Sequence, residues 1–262
     1  QALALSELEP VADDEKQVVE LELTEIVDGA HFYAQVAGDT AVNALQEQLK
    51  ASCSNGAGGP FEAKVGNYCC ARFTQDNEWY RAKVTARNAG EYTVFFLDYG
   101  NTDVLRADRL KPLDSTLGPK ELSPQALECK LAYLLAAPPN DGADGEDAAH
   151  ALSGAAWGKA VLARVEERTG ETLLVTISHK GHSINEELLS QGLLRVSKDV
   201  PKRAMPLVAK LREKEQVART GRLGVWRYGD IDEDDDFEFG TRRQKMQAEQ
   251  AKAAPPTNPW KK

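Results

Sequence analysis

A chain of 262 residues has room for one large domain or two small ones, and its hydrophobic share of 42% is enough to bury a core. The formal net charge of -9 argues against a surface that binds nucleic acid throughout, while leaving room for a local basic patch. No apolar run is long enough to span a membrane.

The chain opens at Gln1 with neither a methionine nor a signal-like segment, so a piece excised from a longer protein is expected. Residues 1–15 are polar and acidic enough to be a loose lead-in. The stretch from Val18 to Thr24 alternates weakly and reads as a strand, Asp28-Gly29 as a hairpin turn, and His31 to Val36 as the return strand. Asp39 or Thr40 caps a helix whose Val42, Leu45 and Leu49 share a face. The glycine-rich run from Ser52 to Pro60 reads as a flexible connection.

Three runs then follow that are rich in aromatic and β-branched residues: Gly66 to Phe73, Trp79 to Val84, and Tyr92 to Asn101. They are separated by Gln75-Asp76-Asn77 and Asn88-Ala89-Gly90, the pattern of short antiparallel strands joined by tight turns. A fourth short strand is expected from Thr102 to Leu105, then one helical turn at Asp108-Arg109-Leu110. Alternate residues of a small barrel face inward, so Trp79, Val84, Val94 and Leu97 suit a core, and the neighbours Cys69 and Cys70 should point to opposite faces. With Cys53 and Cys129 they lack paired zinc spacing, which points to reduced thiols in an intracellular protein. Phe73, Tyr80, Phe96 and Tyr99 gather at strand ends. Core packing accounts less well for Tyr99, which lies in the turn Asp98-Tyr99-Gly100-Asn101.

Pro112 and Pro119 bracket an extended link. Gln125 to Leu135 reads as a strand with Leu127, Cys129, Leu131 and Tyr133 on one side, and Ala136 to Asp147 as a surface loop. Ala148 to Trp157 reads as a short helix with Ala149, Leu152 and Ala156 inward. Lys159 to Glu166 and Glu171 to Ser178 form a hairpin around Thr169-Gly170. Ser183 to Leu193 is a capped helix ended by Gly192, and Ala204 to Arg219 a longer amphipathic one with Leu207, Val208, Leu211 and Ala218 inward. Asp230 to Glu238 is an acidic run, and the remainder is expected to be disordered. An isolated hairpin is marginal in water. If the strands before Gly38 therefore complete a barrel with those after Gln125, the middle stretch is an insertion.

The run Phe96-Leu97-Asp98-Tyr99-Gly100-Asn101 and the run Glu78-Trp79-Tyr80-Arg81-Ala82 resemble the Tudor domain family. With its flanks, residues 16–230 resemble the extended Tudor unit at the C-terminus of Tudor staphylococcal nuclease (Tudor-SN) proteins. The resemblance implies a mainly β fold with helices, a Tudor β-barrel inserted into a staphylococcal-nuclease-like OB-fold barrel. It divides the chain into a lead-in over 1–15, a first part of the OB fold with its linking helix over 16–61, the Tudor domain over 62–115, the second OB part over 116–228, and an acidic, disordered tail over 229–262.

Phe73, Tyr80, Phe96 and Tyr99 could form a cage for an alkylated cation. Methylation leaves a guanidinium charged but less easily hydrated and with fewer donors, and aromatic faces attract it. Asn101 could accept a hydrogen bond from a remaining N–H. The resemblance gives these five positions the same roles. Phe96 stands where relatives often carry Tyr, which keeps the aromatic wall and loses a hydroxyl that bears on selectivity between methylation patterns. The partners implied are arginine-methylated proteins, such as Argonaute/Piwi-type or spliceosomal Sm-type proteins with Gly/Arg-rich tails, with RNA as a further partner and no membrane. No cofactor is implied, and the setting is RNA processing, RNA silencing or transcript regulation in the cytoplasm, the nucleus or RNA granules.

Other chemistry is mostly missing. A staphylococcal-type nuclease holds calcium with carboxylates, positions water with a Glu and stabilises charge on phosphorus with arginines. Its first hairpin carries Asp-Gly-Asp-Thr. Here Asp28-Gly29-Ala30-His31 stands there, and Ala30 cannot bind metal. The segment bearing the family's Arg, Asp and catalytic Glu has no counterpart, so this fragment is not expected to be an enzyme. His179 and His182 lack matched carboxylates or thiols and read as parts of a polar loop. Lys198, Lys202, Arg203, Lys210, Arg212 and Lys214 read as the wet face of the last helix rather than as a phosphate-binding surface. The alternative function is an RNA-binding or nuclease fragment whose aromatics stack bases.

Overall fold

The computed structural model describes residues 17–54, 61–137 and 143–227. The expected lead-in over 1–15, most of the glycine-rich connection and the tail beyond 228 lie outside the described residues. The described chain falls into two compact units, one of residues 17–27, 31–132 and 153–184, the other of 28–30, 133–152 and 185–227.

In the first unit the chain starts with β1 (Val18–Ile26) and β2 (His31–Val36), followed by α1 (Ala41–Ser54). Next come β3 (Tyr68–Arg72), β4 (Trp79–Asn88), β5 (Glu91–Phe96), β6 (Thr102–Arg106) and β7 (Leu110–Pro112). Then follow β8 (Leu127–Leu131), β9 (Leu134–Ala136), α2 (Ala143–Ala156), β10 (Ala160–Thr169), β11 (Thr172–His179) and β12 (His182–Ser183). Of these, β9 and α2 up to Leu152 belong to the second unit.

Among the described residues, β1 is flanked by β10 and β2, β2 pairs with β8, and β8 runs parallel to β11. Because β10 also pairs with β11, the strands β1, β2, β8, β11 and β10 close on themselves. This is the small closed barrel of an OB fold. Leu21, Leu23, Phe32, Ala34, Cys129, Leu131, Val161, Ala163, Val175 and Ile177 are buried along these strands with a period of two. The first hairpin is thus not isolated. It supplies two of the barrel's staves, and the other three follow Gln125.

Between β2 and β8 the chain builds a second, five-stranded antiparallel sheet in the order β6-β5-β4-β3-β7. Cys69, Ala71, Ala82, Val84, Tyr92, Val94, Phe96 and Leu105 form its interior. Cys70 points the other way, into a cluster with Leu45, Leu49 and Cys53 of α1 and with Leu117. The adjacent cysteines therefore serve two cores, and all four cysteines are buried and free. Trp79 is half-buried against the α1 cluster, not inside the barrel where its hydrophobicity suggested, and Tyr92 fills the interior instead. The Lys111 ammonium donates to the Cys53 carbonyl at 2.6 Å, satisfying a free acceptor at the end of α1.

The strand after Gln125 and the second helix differ in extent from the sequence-based reading, and one strand is added. The strand expected to reach Leu135 ends at Leu131, because Tyr133 takes a left-handed φ of 60° that breaks the pleat. α2 begins at Ala143, well before Ala148, with Asp144 and Glu146 in its first turn where the helix dipole favours acidic side chains. Its buried stripe is Ala148, Leu152 and Ala156, at a spacing of four, and Ala149 is only half-buried. β7 was not expected, being three residues long with Pro112 at its edge.

The second unit pairs β9 with β13 (Leu194–Val196), which follows α3 (Ile184–Ser190). It ends with α4 (Met205–Thr220). Leu207 of α4 is half-buried, Val208, Leu211 and Ala218 are buried, and so is an unexpected carboxylate: Glu215 accepts the Val196 N–H at 2.9 Å. Trp226 is fully buried, with the Arg219 guanidinium 4.1 Å above its ring. Gly192, with φ +73°, lets the Leu223 carbonyl lie where a Cβ would otherwise sit, so no larger residue fits there.

Deleting residues 1–37 should strip amide protection from β8 and β10, whose partner strands are then gone. Hydrogen exchange read by mass spectrometry checks this. Undiminished protection in Leu127–Leu131 and Ala160–Arg164 would show that the barrel does not need its first hairpin.

Candidate functional site

The five residues singled out above line one cavity of about 490 Å³ in the first unit, together with Thr24, Glu25, Thr74, Gln75, Asp76, Thr102, Asp103 and Trp157. Phe73 and Tyr80 come from the two ends of the β3–β4 turn, and Phe96, Tyr99 and Asn101 from the β5–β6 turn. The rings meet edge to face. Phe96 lies 5.3 Å from Phe73 and 5.8 Å from Tyr80, Phe73 lies 6.3 Å from Tyr80, and Tyr80 lies 5.1 Å from Tyr99, with interplanar angles of 76–82°. Phe96 is a floor, 1% exposed and part of the sheet's core, whereas Phe73, Tyr80 and Tyr99 are partly buried around it.

Each wall is fixed by hydrogen bonds that the residue types make possible. Asn77 adopts φ 61°, a conformation its short polar side chain tolerates. Its N–H donates to the Phe73 carbonyl, and the Phe73 N–H donates to Glu78. Arg109 holds the same turn from outside, donating to the Phe73 carbonyl at 2.9 Å and to the Asn77 Oδ1 at 2.7 Å. The Tyr80 hydroxyl donates to Asp76 Oδ2 at 2.7 Å, and Asp76 Oδ1 accepts the Glu78 N–H. Burial, reinforced by that hydrogen bond and the Asp76 charge, holds the Tyr80 hydroxyl well above the ordinary tyrosine range. Burial, then the charges of Asp98 and Asp76, does the same for Tyr99. Both rings stay neutral at physiological pH and keep their π faces electron-rich.

Tyr99 depends on a network that the sequence did not disclose. Arg81 of β4 is fully buried, and Asp98 is 3% exposed. The guanidinium meets the carboxylate through two parallel bonds, Nε to Oδ2 at 2.9 Å and Nη2 to Oδ1 at 2.6 Å. Its other N–H groups donate to the carbonyls of Leu117, Leu122 and Ser123. All five donors are therefore used, the condition under which a buried arginine is tolerated. Asp98 Oδ1 also accepts the Gln125 N–H at 3.1 Å. The backbone of the next residues is held by the OB strands: Gln35 Nε2 donates to the Asp98 carbonyl, and Thr24 Oγ1 to the Tyr99 carbonyl at 2.7 Å. Gly100, with φ +86°, is pressed so close to Tyr33 that a Cβ would collide with its ring.

Two further features bear on chemistry. The Asn101 Oδ1 is buried with no hydrogen-bond partner, a cost in an empty site that a ligand donor would remove. Among the described residues lining the cavity, the charged ones are Glu25, Asp76 and Asp103, with no Lys, Arg or His. The lining is thus aromatic and polar, with negative charges only. The other candidates stay apart from it. His179 and His182 face each other across a two-residue turn, with the His179 Nδ1 3.0 Å from the Ala160 carbonyl. Among the described residues no group of three or more His, Cys, Asp or Glu could hold a metal. At the nuclease-like hairpin Ala30 is buried, and α1 occupies the chain after β2. Lys202, Arg203, Lys210 and Arg212 are exposed, and Lys214 pairs with Glu186 at 3.2 Å.

The family models match in the same order, a Tudor domain over residues 14–133 and a staphylococcal nuclease homologue over 140–228. The extended Tudor domain of Drosophila melanogaster Tudor-SN superposes with a TM-score of 0.71 at 28% identity, covering 81% of this chain and all of that one. The human TDRD1 extended Tudor domain, solved with a symmetrically dimethylated peptide, gives 0.60 at 26% identity, covering 70% of this chain and 92% of that one. Ribonuclease TUDOR 2 of Arabidopsis thaliana is 31% identical over 87% of this chain but only 26% of its own length. The chain spans about a quarter of the length of the first such full-length relatives. Fold and site together define a Tudor barrel set into a nuclease-like OB fold, with an aromatic cavity at the turns of the Tudor sheet. The chain joins a Tudor domain to a staphylococcal-nuclease-like domain and is similar to the extended Tudor domain of Tudor-SN.

Breaking the Arg81–Asp98 pair from one side strands a buried charge. Asp98→Ala and Arg81→Met should each lower unfolding free energy by about 3–5 kcal/mol, read from urea unfolding midpoints. A loss below about 1 kcal/mol, the range of an exposed pair, would mean that the network does not hold the turn.

Proposed function

We propose that this chain reads dimethylarginine in Gly- or Ala-flanked segments of partner proteins through Phe73, Tyr80, Phe96, Tyr99 and Asn101. One observation carries the reading: orthogonal aromatic rings and Asn101, whose amide oxygen is buried and without a partner among the described residues, line one cavity whose charges are all negative. A methylated guanidinium has the complementary parts. Its methyl groups and delocalised charge suit the rings, and a remaining N–H suits Asn101 Oδ1. Each cation–π contact contributes on the order of 0.5–2 kcal/mol. Methylated and unmethylated arginine carry the same charge, so the discrimination is a small difference, and about tenfold needs only about 1.4 kcal/mol. Affinity for a single site is therefore modest, and Gly/Arg-rich tails with repeated arginines gain by avidity. A base-stacking site on RNA needs cations beside its aromatics for the phosphates, and this cavity offers carboxylates in that place.

The partners this chemistry selects are arginine-methylated proteins, with Argonaute/Piwi-type and spliceosomal Sm-type tails as the leading classes. The symmetrically dimethylated peptide bound by the human TDRD1 domain supports the ligand class. In this reading the full-length protein is a scaffold of RNA processing and silencing in the cytoplasm, the nucleus and RNA granules, and this module recruits its methylated clients.

Calorimetry with peptides differing only in methylation should give about a tenfold preference for the dimethylated form. Phe73→Ala and Tyr99→Ala should erase it while circular dichroism stays native, and Asn101→Ala should weaken binding. Phe96→Ala should unfold the sheet instead, because that ring is core. Equal binding of both peptides, or a folded Tyr99→Ala protein that still discriminates, would defeat the reading. Tight binding of single-stranded RNA lost on the same substitutions would put base stacking in its place.

A further inference from the structure

The cavity is larger than its aromatic end. At about 490 Å³ it falls within the roughly 300–1,000 Å³ of pockets that enclose whole small molecules, and it continues past the rings to Thr24, Glu25 and Trp157. Its three carboxylates are not equivalent. Asp76 accepts from the Tyr80 hydroxyl and the Glu78 N–H, and Asp103 from the N–H groups of Thr74 and Val104. Among the described residues Glu25 has no such partner, although burial raises its carboxyl above the ordinary value. A half-buried carboxylate with nothing to neutralise it is a cost that a bound cation would offset.

Glu25 reaches the cavity through a local irregularity. β1 and β2 pair Leu23 with Ala34 and then Glu25 with Tyr33, leaving Thr24 as the extra residue of a β-bulge. Leu21 and Leu23 point into the barrel, and strict alternation would send residue 25 there too. The bulge instead puts Glu25 on the face of Tyr33 and Gln35 and frees the Thr24 hydroxyl for the Tyr99 carbonyl. Trp157, just beyond α2, is 49% exposed, a large aromatic left open to solvent on the same cavity. An indole face beside a free carboxylate suits a planar guanidinium, which can stack on the one and pair with the other.

We infer that Glu25 and Trp157 form a second cation subsite, which takes an unmethylated arginine of the same peptide whose dimethylarginine occupies the aromatic end. The inference rests on the proposed function and adds a reason for Gly/Arg-rich segments to be preferred: they offer a second guanidinium on a flexible backbone within reach of the first. It also predicts that the two ends differ in chemistry. The deep end prefers the cation with fewer donors, and the Glu25 end prefers the one with all of them, because methylation blocks pairing in two parallel bonds.

The test is calorimetry with the whole chain and Gly-rich peptides carrying one dimethylarginine, either alone or with a second arginine at graded spacings on either side. In the unaltered protein the best-spaced second arginine should raise affinity about fivefold, roughly 1 kcal/mol. Replacing that arginine with lysine or dimethylarginine should forfeit most of the gain. Glu25→Gln and Trp157→Ala should each bring the affinity of the two-arginine peptide down to that of the singly substituted one in the same variant. Glu91→Gln, which neutralises an exposed carboxylate on the β5 strand, should preserve the gain and so separate a local subsite from the general attraction of an acidic chain. A gain that survives Glu25→Gln, or is absent at every spacing, overturns the subsite alone. If the singly dimethylated peptide binds no better than its unmethylated form, the proposed function falls and this inference falls with it.

Discussion

The buried pair of Arg81 and Asp98 is the constraint on which the site depends. A guanidinium removed from water costs several kcal/mol unless every donor finds an acceptor, and here each does. The acceptors come from sequence-distant places: a carboxylate in the β5–β6 turn and three carbonyls from the link that leads back to β8. One side chain thus fixes where the Tudor sheet ends and where the chain re-enters the OB barrel. The residue after Asp98 is Tyr99, so the backbone that satisfies the charge also sets one wall of the aromatic cavity.

This explains why a Tudor barrel of this kind carries an OB fold around it. The turn bearing Tyr99 and Asn101 has hydrogen bonds from Thr24 and Gln35 and a ring, Tyr33, packed where Gly100 has no side chain. Preorganisation of this sort lowers the entropy lost on binding. Under the proposed function that matters, because recognition would rest on the small energetic difference between two cations.

Much of this was legible in the sequence. The period-two runs located the strands of both sheets, turn residues located their ends, and the orphan first hairpin implied a shared barrel that the β1–β10 and β2–β8 pairings realise. Phe73, Tyr80, Phe96 and Tyr99 were singled out as aromatics gathered at strand ends, Tyr99 because a turn explains it poorly as packing, and Asn101 as an acceptor beside them; all five line one cavity. The rest had no local signal. Arg81 sits in an aromatic-rich strand as any exposed arginine would, and only its tertiary partners make it internal. Glu215 falls on the buried period of Val208, Leu211 and Ala218, and only the Val196 N–H shows why a carboxylate stands there. Trp157 and Glu25 lie far apart in sequence, in elements read as structural. The left-handed Tyr133 broke a strand that its side-chain pattern extended, because alternation reports which face is apolar and not where the backbone stops being pleated.

The bulge at Thr24 decides where β1 tolerates a change in length. Upstream of it, odd-numbered positions belong to the barrel's oily interior; downstream, the parity is reversed. Loss of the codon for Thr24 would merge the two halves into a single phase. Glu25 and every later side chain would keep the faces they now have, because the residue lost is the one with no partner across the strand, and the hydroxyl that holds the Tyr99 carbonyl would go with it. Elsewhere in β1 a single-residue indel would turn one flank of the strand to the wrong face, so changes of length in this strand should be confined to the bulge.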